Sequence, residues 1–542
     1  MKVFGKDIEI GKIQVDSEKI SGNIEIKKID KGILVEGKIS SSDSRVEVAR
    51  FKAPENLIFN NWQSWGPTML VPLQFMSKSM WKVLRSQMNN KIEYNLSPLI
   101  EEWYESPISD YFIGYKNGLV GFLTSNKAHP FFVLEGEEIV VYLEYFITEE
   151  EEKEIEPFVI LENDEVENLM ENYAEIIRDF HNPKIIEKVP VGWCSWYNYF
   201  TDFKWEEMNK NLELANEFSY DVFQIDDSFQ DDIGDWFTPG NDFPSTAIIA
   251  DKINSYGYTA GLWTAPFSIS ETSEIYVNNP EWLVKDESGN PKVCYHNWDK
   301  NIYSLDVTNP QAAEWLEYVF KRLKEEGYDY FKIDFLFAGA MPGKRFKNVS
   351  PISAYIEGMK IIRKSVGDES FILGCGAPLL PSIGIVDGMR IGPDTSPDWG
   401  ADRPMFDGSP NAHFALQNTL FRQFMHKKFW LNDPDCIMLR DKGISQTQEE
   451  REIFSITCGL LDNMILQSDD LGLVEEEGKK LFKDTVSKLG GKSRVKNLFS
   501  GNELYIIERE KNNIVEKYVL NIGENEIEYE DILVKPKTYT KL

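Results

Sequence analysis

Through the first part of the chain apolar and polar residues alternate in short runs. GILVEGKI (32–39), YFIGYKNGLVGFLTS (111–125) and EEIVVYLEYFI (137–147) are examples, broken by Gly, Asn and Asp turns. A period of two marks strands with one buried face, and its persistence to about residue 160 predicts a large β-sandwich. One helical segment follows, DEVENLMENYAEIIRDF (164–180), and then NPKIIEKVP (182–190), which has the make-up of a linker. From about residue 490 the period of two returns in NELYIIERE, EKYVLNI and DILVKPKTY. The expected division is therefore 1–185, an N-terminal β-sandwich with its linker helix; 186–490, a central barrel; and 491–542, a small antiparallel β domain.

The middle of the chain has a different pattern. Eight runs are apolar almost throughout: VGWCSWY (191–197), VFQIDD (222–227), TAGLWTAPF (259–267), YFKIDF (330–335), FILGCGAP (371–378), MRIGPD (389–394), FWLNDPD (429–435) and MILQSDD (464–470). Strands without a polar face are buried on both sides, which is the mark of a parallel sheet covered by helices. Amphipathic helices lie between them. In NPQAAEWLEYVFKRLKEEG (309–327), Asn309 is placed as N-cap, Pro310 at the first helical position and Gly327 as the stop. Eight β/α units predict an α/β fold with a closed (β/α)8 TIM barrel. Two irregularities stand out. A hairpin-like insertion, WLVKDESGNPKVCYHNW (282–298), separates the third and fourth strands, and the fifth and sixth are too close for a full helix between them.

Composition narrows the function. With 58 basic and 89 acidic side chains the net charge is −31, which argues against nucleic acid or an anionic membrane as partner. The abundance of Lys and Glu suits the ion-pair networks of a heat-adapted protein. Five Cys residues, an odd number without a CxxC pair, fit a reducing compartment. The residues after Met1 contain no apolar core of signal-peptide length, and no run approaches the ~20 apolar residues of a membrane helix. The expected location is the cytoplasm.

Each barrel run ends in polar or aromatic residues, and in a (β/α)8 barrel those ends meet at one mouth. Asp226, Asp227, Asp334 and Asp394 are the leading acids there, with Asp433, Asp435, Asp469 and Asp470 behind them. Clustered acids repel, so stability alone does not call for them. They serve metal binding or glycoside hydrolysis. Only five His occur and none stands at a strand end, so no metal and no cofactor are expected. Nor is there a GxSxG elbow, a P-loop or a dinucleotide fingerprint. Glycoside hydrolysis needs one carboxylate to attack the anomeric carbon and another to protonate the leaving oxygen. Lys332, two residues before Asp334, is expected to point inward with it and hold it ionised. Trp193, Trp196 and Trp263 are candidates for the apolar floor of a sugar site. Asp387 precedes its strand and is set aside.

Taken in order, GWCSWY, QIDD, GLWTAPF, FKIDFLFAGA, GCGAPL, MRIGPDT and WLNDPDC, with NNWQSWG at 60–66, resemble glycoside hydrolase family 36 of clan D, particularly its shorter α-galactosidases from heat-loving microbes. The resemblance implies an N-terminal β-supersandwich, a catalytic (β/α)8 barrel and a small C-terminal β domain, and a retaining α-galactosidase with Asp334 as nucleophile and Asp394 as general acid/base. It implies that Asp226 and Asp227 hold the C4 and C6 hydroxyls, and that Lys332, Cys375 and Arg390 line the others. Trp196 and Trp263 would lie against the ring, with Trp65 reaching in from the N-terminal domain. Small α-galactosides such as melibiose or raffinose would be the substrates. An α-N-acetylgalactosaminidase, a galactosyl transferase and a silent sugar-binding protein remain as alternatives.

Overall fold

The computed structural model describes residues 1–9, 17–21, 23–73, 108–147, 151–400 and 410–542. Among these, the N-terminal alternating runs form two antiparallel sheets packed face to face. One is six-stranded and the other nine-stranded, the latter running from Ser17–Ser21 to Thr68–Pro72. Their inward residues, such as Ile24, Ile26, Ile33, Val35 and Val141, are buried. The helix Val166–His181 lies against this sandwich and then leads into the barrel.

The eight apolar runs become eight parallel strands in chain order: β1 (Val191–Cys194), β2 (Val222–Ile225), β3 (Thr259–Thr264), β4 (Tyr330–Ile333), β5 (Phe371–Gly374), β6 (Gly388–Arg390), β7 (Leu431–Asp433) and β8 (Ile465–Gln467). Strand β8 pairs with β1, with Val191 opposite Ile465. The barrel closes between β7 and β8 by a kinked route. Met464 N–H donates to Asn432 O at 3.0 Å. After the turn at Pro434 and Asp435, Ile437 N–H donates to Leu466 O at 2.8 Å. Asp435 takes a left-handed φ of 79° at that kink, a conformation Asp tolerates better than most residues.

The helix Pro310–Glu325 starts as expected, with Asn309 Oδ1 accepting from Gln311 N–H and Pro310 at its first turn; Gly327, at φ 103°, follows its end. Between β5 and β6 there is room only for the single turn Leu379–Ser382. The insertion after β3 folds as a three-stranded antiparallel sheet, Ser268–Ser270, Val293–Asn297 and Lys300–Ser304. The C-terminal residues form a four-stranded antiparallel sheet and a small hairpin. No helix among the described residues is long and apolar enough to cross a membrane.

The sandwich and the barrel share a buried seam. Gln63 bridges to Pro378, and Ser64 N–H donates to Ala377 O at 2.9 Å. Arg422, fully buried, clamps this seam. Its guanidinium donates to Thr68 Oγ1 (2.7 Å), Ser64 O (2.6 Å), Asn60 Oδ1 (3.2 Å) and Ile391 O (3.0 Å). One cation thus ties the loop that carries Trp65 to the residue that follows Arg390.

Candidate active site

The mouth is built where the C-terminal ends of the strands turn into loops. Asp334 directly follows β4 and is held on both sides. Its main-chain N–H donates to Thr264 O on β3 at 2.8 Å. Its Oδ2 accepts from the Trp263 indole at 3.0 Å, and its Oδ1 from Phe335 N–H at 2.7 Å. Phe335 turns the chain left-handed (φ 50°) immediately afterwards, so the carboxylate ends at the mouth instead of continuing the strand. The two donors reach the carboxylate one on each oxygen.

Lys332 does not serve Asp334 as expected. Its ammonium crosses the barrel to Asp226 Oδ2 at 2.7 Å, both groups being buried. The alternation of the strand does turn Lys332 inward, but Asp226 sits deeper than Asp334 and takes the charge. Gln224, two residues earlier on β2, adds a bond to the same oxygen at 2.7 Å. Asp227 is held by Gln230 Nε2 at 2.5 Å and by Trp298 Nε1 at 2.7 Å. Burial, together with Asp226 and Asp334 nearby, raises its pKa to about 6. The adjacent acids therefore find their donors within the protein, and do not need a ligand to supply them.

Asp394 follows β6 past the Gly392-Pro393 turn. Its Oδ1 accepts from Arg390 Nη2 at 2.6 Å, and the side chain is 37% exposed towards the mouth. On its other sides protein surrounds it. That desolvation, with Asp435 and Asp334 adding to it against the pull of Arg390 and Lys332, raises its pKa to about 6. Arg390 is buried and also pairs with Asp435 Oδ2 at 2.5 Å. Burial pushes the Cys375 thiol up, and its Sγ accepts from the Trp65 indole at 3.1 Å. Gly376 (φ 56°) lets Trp65 approach this closely: a Cβ there would stand 3.1 Å from the ring.

Trp65, Trp298 and Tyr295 gather around Phe335, and Trp263 meets Trp298 at 6.4 Å. Trp65 meets Phe335 edge-on at 5.0 Å, Tyr295 stacks on it at 5.3 Å and Trp298 lies 5.1 Å away. Trp196 is half-buried beside Phe200 at 5.3 Å. Two of the three floor candidates are corrected. Trp193 is fully buried, stacked on Phe223 and donating to Asp469 O, because its strand position faces the helical layer. Trp263 is 2% exposed and offers Asp334 an N–H instead of presenting an open face. Asp469 is consumed by Arg440, and Asp470 caps the turn Leu471–Leu473. Asp387 binds Arg363 and Ile372 N–H at the opposite end of the barrel.

Trp298 was missed. It closes the quoted insertion motif, but nothing in its spacing says that the hairpin folds back over the mouth. Trp298→Phe removes one hydrogen bond to a buried carboxylate and leaves the ring. KM for the substrate is expected to rise about tenfold with a smaller change in kcat. Unchanged steady-state constants would remove Trp298 from the site.

A barrel whose mouth is ringed by carboxylates and indoles, with one indole delivered by a neighbouring sandwich, has the architecture of the barrel glycoside hydrolases. The comparisons agree. The family model described as alpha-galactosidase, N-terminal, matches residues 25–162, and the melibiase model matches 156–341. The chain is 27% identical over 154 residues to α-galactosidase Mel36A of Lactobacillus acidophilus, covering 27% of this chain and 20% of that protein. To α-galactosidase AgaA of Geobacillus stearothermophilus it is 28% identical over 146 residues, covering 24% and 20%. The matched stretches thus span a fifth of those relatives' length. A solved α-galactosidase of Thermus thermophilus, in complex with p-nitrophenyl α-D-galactopyranoside, shares the fold with a TM-score of 0.70 at 24% identity, over 89% of this chain and 95% of that one. The two models together extend from residue 25 to residue 341, and over that length the chain is similar to the α-galactosidases and melibiases that they describe.

Proposed function

We propose that the protein is a retaining α-galactosidase acting on terminal α-D-galactosyl residues. The observation that carries this reading is the contrast between two carboxylates at one mouth. Asp334 is held by an indole and a main-chain N–H, whereas Asp394 is open to the mouth with a raised pKa. In this reading Asp334 attacks the anomeric carbon and forms a galactosyl-enzyme, while Asp394 gives its proton to the leaving oxygen. Asp394 then takes a proton from water as that water releases the sugar. Asp226 and Asp227, fixed by Lys332 and Trp298, hold the C4 and C6 hydroxyls. Trp65 and Trp196 shape the apolar side, Trp263 holds Asp334 through its indole N–H, and Cys375 and Arg390 lie towards C2. The buried thiols support a reducing, cytoplasmic setting and small substrates such as melibiose or raffinose.

A panel of aryl α-glycosides of galactose, glucose and N-acetylgalactosamine tests the reading, with the anomer of the first product followed by NMR. The expected result is preference for galactose with the α-anomer released first. Release of the β-anomer would overturn the retaining mechanism, and preference for N-acetylgalactosamine would overturn the substrate.

The pH profile has a defined sign. A general acid works only while protonated, so its contribution is present below its pKa and lost above it. With Asp394 near 6, kcat/KM for melibiose is expected to fall as pH rises through about 6. An activated aryl galactoside, which needs little protonation, should show a weaker fall. Identical high-pH limbs for the two substrates would refute the assignment of Asp394.

A further inference from the structure

We propose that Asp435 is a positioning residue of the reaction, the counter-ion that takes up the charge of Arg390 so that Asp394 is left as an acid and not as half of a salt bridge. The inference rests on the assignment of Asp394 as acid/base and deepens it.

The geometry is a fork with one prong doubly claimed. Arg390 Nη2 lies 2.6 Å from Asp394 Oδ1 and 2.5 Å from Asp435 Oδ2. A single guanidinium nitrogen between two carboxylates cannot neutralise both, and two anions so close favour a proton on one of them. Donors decide which. Besides Arg390, Asp435 accepts from the Tyr197 hydroxyl, from Thr395 N–H at 2.8 Å and from Thr395 Oγ1 at 3.2 Å. Asp394 has Arg390 alone among the described residues. Four donors converge on Asp435, so the proton goes to the carboxylate with a single donor and an open face.

Other charges around the pair fit this division. Facing Asp394 are Arg390, Asp435, Asp334, Lys332, Tyr197 and Cys375; facing Asp435 are Arg390, Asp394, Asp433, Tyr197, Cys436 and Cys458. The negative charge on Asp435 raises the proton affinity of Asp394, whereas Arg390 and Lys332 lower it. Backbone conformation points the same way. The barrel breaks its closing ladder at Asp435, with a left-handed φ of 79°, to turn this side chain inward. Such strain persists where a side chain must be aimed.

A purely structural role would have Asp435 hold Arg390 and Thr395 in place, with no influence on proton transfer. Asp435→Asn and Asp435→Glu separate the two. Asn keeps the shape and tolerates the left-handed backbone but removes the charge, whereas Glu keeps the charge and alters the shape. For each variant, kcat/KM is measured against pH with melibiose and with an activated aryl α-galactoside. In D435N the high-pH limb for melibiose is expected to move down by about one pH unit. At neutral pH melibiose should then lose about tenfold more than the aryl substrate. D435E should keep the limb at its wild-type position, whatever it loses in kcat.

Equal losses on both substrates with an unmoved limb in D435N would overturn the proposal, and so would a limb displaced as far in D435E as in D435N. If D435N does not fold, Asp435→Ser, which also removes the charge, is read in its place with the same expected shift and the same overturning result. Wild-type protein inert towards both galactosides would bring down the underlying reading of the site, and this inference with it. An active wild type with an unshifted D435N brings down this inference alone.

Discussion

Replacing Asp334 with glycine is expected to lower turnover of an aryl α-galactoside by about 10⁴-fold or more, because no other group at the mouth can take its place against the anomeric carbon. Lys332, the nearest cation on the strand, is committed to Asp226. Asp394, in the proposed mechanism, serves the leaving oxygen. Removal of the carboxylate leaves a space bordered by the Trp263 indole N–H and Phe335 N–H, the two donors that held it. A small anion fits that description. Azide is therefore expected to restore turnover and to yield the β-galactosyl azide, since it attacks once from the face that the carboxylate occupied. Mass and NMR analysis of the product decide the matter. An α-configured azide, or a D334G variant with substantial unaided activity, would remove Asp334 from the nucleophile's role.

The second large effect concerns folding. Arg422 is buried with four protein oxygens around its guanidinium, and burial drives its pKa down. Arg422→Ala leaves a cavity and strands carbonyls of Ser64 and Ile391 with their acceptors unmet. The expected cost is about 3–5 kcal/mol of stability, read as a lower thermal or urea midpoint. Where the variant still folds, KM should also rise, because the loop bearing Trp65 loses its tether to the barrel. Arg422→Lys should fall between, since an ammonium can reach some of these oxygens but cannot present the planar fork. A midpoint within a degree of wild type for R422A would show that the seam is held by other contacts.

How far the sequence discloses this arrangement varies with the physics of each part. The barrel was legible because parallel strands covered on both faces must be apolar throughout, and all eight runs became strands in chain order. The short step from β5 to β6 was legible as a length too small for a full helix. Strand-end placement also drew attention to the acids. Partnership was not legible. Even spacing put Lys332 inward, but the depth of each carboxylate in the barrel decides which one it meets, and depth is a property of eight strands together. Trp193 and Trp263 look alike in a run of apolar residues, yet one is sealed in the core and the other bonds Asp334. Trp298 lies on an insertion whose direction of fold-back no local pattern records. Asp435 belongs to the same case, since its importance arises at a kink where the barrel closes.

The seam at Ser64, Thr68 and Arg422 bears on the order of events during synthesis. The sandwich leaves the ribosome first, and its Trp65 loop has no barrel to meet until the chain has run on past β5 and beyond residue 422. Domains made early generally fold as units before later ones are complete. Here the early unit must carry an unfinished edge, with the Ser64 carbonyl and the Thr68 and Asn60 oxygens waiting for a cation more than 350 positions downstream. Chains arrested before that point would leave these oxygens without the cation that gathers them.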